Sequence, residues 1–294
     1  MSNSIITSPQ NLAELSDTDL MKLEFEIARK YSQGFPWLMI VWPIANVTCW
    51  LSLWPLTLSG VISLWISFPI ATLNVLLVFL PIHDALHGII ARPKQKLRWL
   101  NELVGHATSW VLVLPFELLR IVHKQHHLHA NDPELDPDYP LSQITSPWQA
   151  MLATFSQRLP SSQRMKNYIK IIVDAGRTDL LKLGGLYQLG FYSILFILFW
   201  QGYGLHAFLL WWLPIQIALG HNIFFFGWVP HRPALKTGRY RDTRSWKSKV
   251  GNLGSAGMQY HIVHHLHPQI PLHRTPAAYR ELEPILKARG CDIP

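Results

Sequence analysis

Three groups of histidines in this 294-residue chain have spacings suited to metal chemistry. His123, His126 and His127 form an H-x-x-H-H cluster, His261, His264 and His265 repeat it, and His83 and His87 stand four residues apart. On a helix, residues at i, i+3 and i+4 share one side, so each cluster can aim its imidazoles at a common point. Imidazole suits iron, zinc, copper or nickel, and eight such donors exceed what one ion accepts. The spacing predicts a two-metal site. His231, in Pro230-His231-Arg232-Pro233, is placed to supply a ninth donor.

A hydrolytic zinc site uses three protein ligands and keeps a position for water, far fewer than this set offers. Two irons have another use: they reduce O2 to an oxidant able to take hydrogen from an unactivated C–H bond. Neutral imidazoles would leave the pair more electrophilic than carboxylates. A second layer orients metal-bound rings by holding their other N–H; Asp84, His106, Asp132, Asp136 and His221 are the candidates. Asp132 and Asp136 lie in a Pro-interrupted run, His129-Ala130-Asn131-Asp132-Pro133 to Asp138, where proline stops the preceding helix.

The elements that must position these residues are apolar. The chain is 49% hydrophobic with 13 Trp, and no Asp, Glu, Lys or Arg occurs from Pro36 to Ile82 or from Leu183 to Val229. Crossing a hydrocarbon core of roughly 30 Å takes about 20 helical residues. The expected fold is therefore an all-α integral membrane protein with four transmembrane helices, near 37–56, 61–82, 185–201 and 205–228. A helical cap would hold the dimetal site. All 26 Lys and Arg fall before the first span, in 83–182, or after 229, so the positive-inside rule puts both termini and the site on the cytoplasmic side. That topology and contact with anionic lipid explain the net charge of +8 without a nucleic-acid partner.

Residues 1–35 read as a cytoplasmic arm, and 36–294 as one membrane domain. The arm lacks the basic start and apolar core of a secretory signal, and Ser16 to Lys30 reads as an interfacial helix capped by Ser16, its Leu20, Leu23 and Ile27 lying on the membrane or on the protein. Residues 99–120 are apolar but carry Glu102, Glu117, Arg120 and Pro115. A full crossing there would put two of the histidine clusters on opposite faces, so a re-entrant or interfacial segment is expected. Residues 141–182 read as a connector riding on the membrane surface, and His206 belongs to the turn far from the site. The Gly251, Gly254 and Gly257 series has the wrong spacing for a dinucleotide loop and reads as close backbone packing. Thr275 to Arg289 reads as an amphipathic helix. Cys49 and Cys291 form no redox or metal motif. A metal transporter would need polar groups along a path through the bilayer, and the spans offer few.

The runs HDALHG, HKQHHLHANDPELDPD, FGWVPHRP, RYRDTR and QYHIVHHLHPQIP resemble the membrane fatty-acid desaturase superfamily. Within it they are most similar to bacterial β-carotene hydroxylases, with carotenoid ketolases as near relatives. The resemblance covers about 75 to 290. It implies a non-haem diiron oxygenase that hydroxylates the β-ionone ring of a lipid-soluble carotenoid at C3, using O2 and electrons from ferredoxin or a similar donor protein. It also implies that His83, His87, His123, His126, His127, His231, His261, His264 and His265 hold the metals. One departure stands out: after Ile270-Pro271 this chain has Leu272-His273, where the family carries an aromatic pair or Trp.

Overall fold

The computed structural model describes residue 12, residues 14–232 and residues 236–294. The rest of the arm's first thirteen residues, and Pro233 of the P-H-R-P run, lie outside the described residues. Among the described residues the regular structure is helical, with a single isolated β-bridge between Arg244 and Asp292.

Helix α1 (Asp17–Ser32) starts at Ser16, whose hydroxyl accepts from the Asp19 amide. Helices α2 (Leu38–Leu58) and α3 (Leu64–Leu86) form an apolar hairpin, turned at Gly60 with φ 77°. α3 continues four residues beyond the expected end at 82, so His83 stands on the helix. Further on, Thr178–Trp228 is one apolar helical run broken at Gly202, where φ is 87°. Its limbs, α8 (Thr178–Leu198) and α9 (residues 204–228), fold back on each other: the Phe191 and Trp211 rings lie 4.8 Å apart. A straight helix would separate residues 20 positions apart by about 30 Å. The expected third and fourth spans are therefore the two limbs of a hairpin, the first beginning seven residues before 185.

α4 (Arg98–Val111) and α5 (Phe116–His129) meet at an elbow of 100°. Val113, at φ 57°, and Pro115 make the break. Gly105 permits it, because a Cβ there would meet the Phe116 ring at 2.1 Å. Arg120 Nη2 lies 2.7 Å from a Glu102 carboxylate oxygen across the bend. The elbow returns the chain to the end it left, as a re-entrant segment would: His87 Nε2 and His123 Nε2 are 2.9 Å apart.

α6 (Pro147–Ser156) and α7 (Gln163–Asp174) form the connector. A short turn, Gly251–Gly254, precedes α10 (His261–Leu266) and α11 (Thr275–Ala288). Two apolar cores result. One lies among the long helices, around Trp50, Val75, Ile82, Phe116, Leu210 and Ile215. The other joins α1, α10 and α11 through Leu20, Ile27, Ile262, Val263, Leu282 and Ile285.

Candidate metal centre

The predicted histidines converge from four places: the end of α3, α5, the segment just after α9, and α10. Their ring nitrogens fall into two groups, within each of which one nitrogen per ring lies within 4.8 Å of all the others. His83, His87, His123, His127 and His264 form the first, and His126, His231, His261 and His265 the second. The division follows helix geometry. At about 100° per residue, i and i+4 stand about 40° apart, while i+3 falls about 60° to the other side. Each H-x-x-H-H cluster accordingly gives its i, i+4 pair to one group and its i+3 ring to the other. His123 and His127 join His264, and His261 and His265 join His126.

Most of the rings are buried. Both nitrogens of His83 and His265 and the Nδ1 atoms of His231 and His264 have no hydrogen-bond partner, a cost that protein interiors seldom tolerate. Several rings face each other nitrogen to nitrogen: His126 to His231 at 3.1 Å, His231 to His261 at 3.0 Å, and His264 to His127 at 3.0 Å. With metal–nitrogen bonds of about 2.1 Å, two ligands at right angles stand about 3.0 Å apart. Burial, and after it the neighbouring imidazoles, push the His231, His261, His264 and His265 rings well below the usual histidine pKa. Neutral rings with lone pairs turned inward are what a metal requires. The donor set therefore fits two borderline-soft ions, and five and four nitrogens both stop short of a six-ligand shell.

The second layer is built unevenly. Asp136 Oδ1 accepts from His126 Nδ1 at 2.8 Å, and the carboxylate is itself held by the amides of Asn131 and Asp138. That bond fixes the tautomer leaving His126 Nε2 free for metal. Asp132 instead caps the amides of Glu134 and Leu135, the turn chemistry of its sequence context. Asp84 stands 3.9 Å from His83 Nδ1, beyond hydrogen-bond reach, and 3.4 Å from the Leu272 amide. His106 packs on Phe116, away from the nine rings. It shares a third cluster with Glu102 and Glu117, whose carboxylates pair with Arg98 and Arg120. His221 hydrogen-bonds the Gly254 carbonyl at 2.8 Å and touches no ring of either group directly; Phe226 stands between it and His83.

Several supporting groups escaped the sequence reading. Met258 Sδ lies 3.0 Å from His261 Nδ1. Half-buried Asp138 is ion-paired to Arg164 at 2.6 Å; desolvation alone would raise its pKa, but Arg164 and Tyr168 hold it below the ordinary carboxylate value. Glu24 of α1, fully buried, accepts from Arg239 and Tyr240 and lies 2.9 Å from His267 Nε2. An acidic residue on a buried helix face was the one available signal for it. Of the glycine series, Gly251 is sterically required, since a Cβ would lie 2.6 Å from Ser248 and 2.8 Å from Gln259, whereas Gly254 faces open space. Leu272 is buried against Gly257, and His273 is exposed.

The family model described as fatty acid desaturase matches residues 59–292. An sn-1 acyl-lipid omega-3 desaturase (ferredoxin) of Nostoc is 25% identical over 71% of this chain and 62% of its own length. A zeaxanthin 4-ketolase of Chlamydomonas reinhardtii is 26% identical over 66% of this chain and 39% of its own. An sn-1 oleoyl-lipid 12-desaturase of Synechocystis is 44% identical over a short stretch, 18% of this chain and 14% of its own. The chain thus spans less than two thirds of the length of these relatives. With the family model matched from the first apolar hairpin to the tail, and the histidine clusters gathered where the apolar helices end, the chain belongs to the fatty acid desaturase family.

Proposed function

We propose that this protein is a non-haem diiron oxygenase of the membrane that hydroxylates a β-ionone ring carbon of a carotenoid, as a β-carotene 3-hydroxylase does. The observation that carries the reading is the all-imidazole donor set, divided between two adjoining groups at one end of four apolar limbs. His83, His87, His123, His127 and His264 would hold one iron, and His126, His231, His261 and His265 the other. Bound there, the irons supply reductive activation of O2 for attack on an unactivated C–H bond. The chain's own residues fix the rings, hold those of His231, His261, His264 and His265 neutral by burial and, through Asp136, set the His126 tautomer. Electrons would come from ferredoxin or a similar donor, in line with the ferredoxin-linked relative. The segregation of Lys and Arg supports a cytoplasmic position for the site and both termini.

The carotenoid assignment rests on the N-D-P-E, P-H-R-P and R-Y-R-D-T-R runs, with the zeaxanthin ketolase among the relatives. Expression in cells that accumulate β-carotene, followed by pigment analysis, tests it. The expected product carries hydroxyl groups at C3. A 4-keto product would make the chain a ketolase, and no oxygenated pigment from folded, iron-loaded protein would sink the carotenoid reading. The acyl-lipid desaturases among the relatives favour a second reading, a fatty acyl desaturase or hydroxylase. It predicts altered membrane acyl chains and unchanged carotene in the same cells.

A further inference from the structure

Residues 250–254 carry an exposed apolar tip that nothing among the described residues covers. Leu253 is 85% and Val250 71% exposed, with exposed Lys247 and Lys249 immediately before them. On a surface facing water, two such residues on a tight turn would be a liability. The tip is fixed in place, however: His221 of α9 hydrogen-bonds the Gly254 carbonyl at 2.8 Å, and the buried Ser255 and Ala256 follow.

The level of that hydrogen bond can be read from the α8–α9 hairpin. His221 lies 19 residues after the break at Gly202, and Leu183 lies 19 residues before it. Leu183 begins the charge-free stretch, directly after exposed Lys182. The hairpin therefore puts His221, and the turn bonded to it, level with the point where α8 becomes charge-free, while α9 itself stays charge-free for eight residues more, to Val229. A second element marks the same level. Thr154 of α6 packs against Gly220, the neighbour of His221. The outer face of α6 carries Trp148, Met151, Leu152 and Phe155, all exposed, at spacings that make one apolar helical stripe.

We propose that residues 247–254 are a bilayer-inserted anchor: Val250 and Leu253 enter the acyl boundary, Lys247 and Lys249 meet anionic headgroups, and His221 latches the turn to α9. The partner is a lipid surface, and the anchor shares its depth with the α6 stripe. An aromatic row continues inward from the latch. His221 stacks near Phe225 at 4.7 Å, and Phe226 lies 4.9 Å from Phe79 and 6.0 Å from His83. The anchor thus holds the bilayer beside the row that ends at the histidine groups. The inference rests on the membrane setting of the family and on no particular substrate.

The test uses full-length protein with Cys49 and Cys291 replaced by Ser and Leu253→Cys carrying an environment-sensitive fluorophore, reconstituted in vesicles containing phosphatidylglycerol. Lipids with a nitroxide high on the acyl chain should quench the label, and aqueous iodide should quench it several-fold less. His221→Ala should reverse that preference and His221→Gln, which can still donate to the carbonyl, should retain it. The same measurement at Val250→Cys controls for a local defect at position 253. Labels at both positions that iodide quenches and nitroxide lipids do not would overturn the proposal. Because no turnover is read, failure here is distinguishable from failure of the carotenoid assignment.

Discussion

At the scale of single residues, the two H-x-x-H-H clusters are not each a ligand set for one ion. Each is shared between both groups, so a substitution acts on a group chosen by helix angle. His127→Ala and His264→Ala, one from each cluster, should empty the same group: both are expected to abolish turnover and to lower bound iron, measured by elemental analysis, toward one per chain. His126→Ala should instead lower the occupancy of the group containing His231. Asp136→Asn keeps the shape but loses the acceptor that fixes the His126 tautomer, and outer-layer changes of this kind cost about 10–100-fold in metal affinity. Competition with a chelator reads that loss, and unchanged iron retention would remove Asp136 from the second layer. The candidate donors were legible because i, i+3, i+4 spacing is a local property. Of the second-layer candidates the structure brings only Asp136 to a ring nitrogen, because which carboxylate reaches a ring depends on how the Pro-interrupted turn after α5 closes.

At the scale of elements, the α4–α5 elbow and the docking of α1 do the positioning. The Gly105→Ala variant would push a methyl into the Phe116 ring; overpacking of this kind costs about 1–3 kcal/mol, read as a lowered melting temperature with the histidines untouched. Helix α1 is tied to the cap through Glu24. Burial works to raise its pKa, but the close His267 ring and donation from Tyr240 and Arg239 outweigh burial and hold the carboxyl below its ordinary 4.5. A depressed carboxylate stabilises the fold fully above that ordinary value, and the contribution is lost as pH falls through the native value. Thermal melts of the wild type and Glu24→Gln should therefore differ near neutrality and converge in acid; a difference that grew on acidification would refute the tie. The sequence reading had the helix and its Ser16 cap correct. It left open whether the helix lies on the membrane or on the protein and did not identify Glu24 as the tie, because Glu24 meets partners more than two hundred residues away.

At the scale of the whole molecule, two apolar cores flank the histidine groups, one among the long helices and one in the cap. From the charge map, both ends of the chain are expected on the histidine side and the turns at Gly60 and Gly202 on the other. Reporters fused at the N and C termini should signal the same compartment, and a tag inserted at Gly202 the opposite one; a split between the termini would break the four-limb reading. By itself the sequence determined the four apolar limbs, the returning segment between the first and second hairpins, and the nine candidate donors. Charge segregation and residue spacing are written along the chain, and water and lipid act on them locally. Only the tertiary structure decided how the nine rings divide between two groups, that His221 latches a turn instead of serving a ligand, and that α1 closes the cap. Those outcomes depend on how helices rotate and cross against one another, and packing sets such angles between residues far apart in the chain.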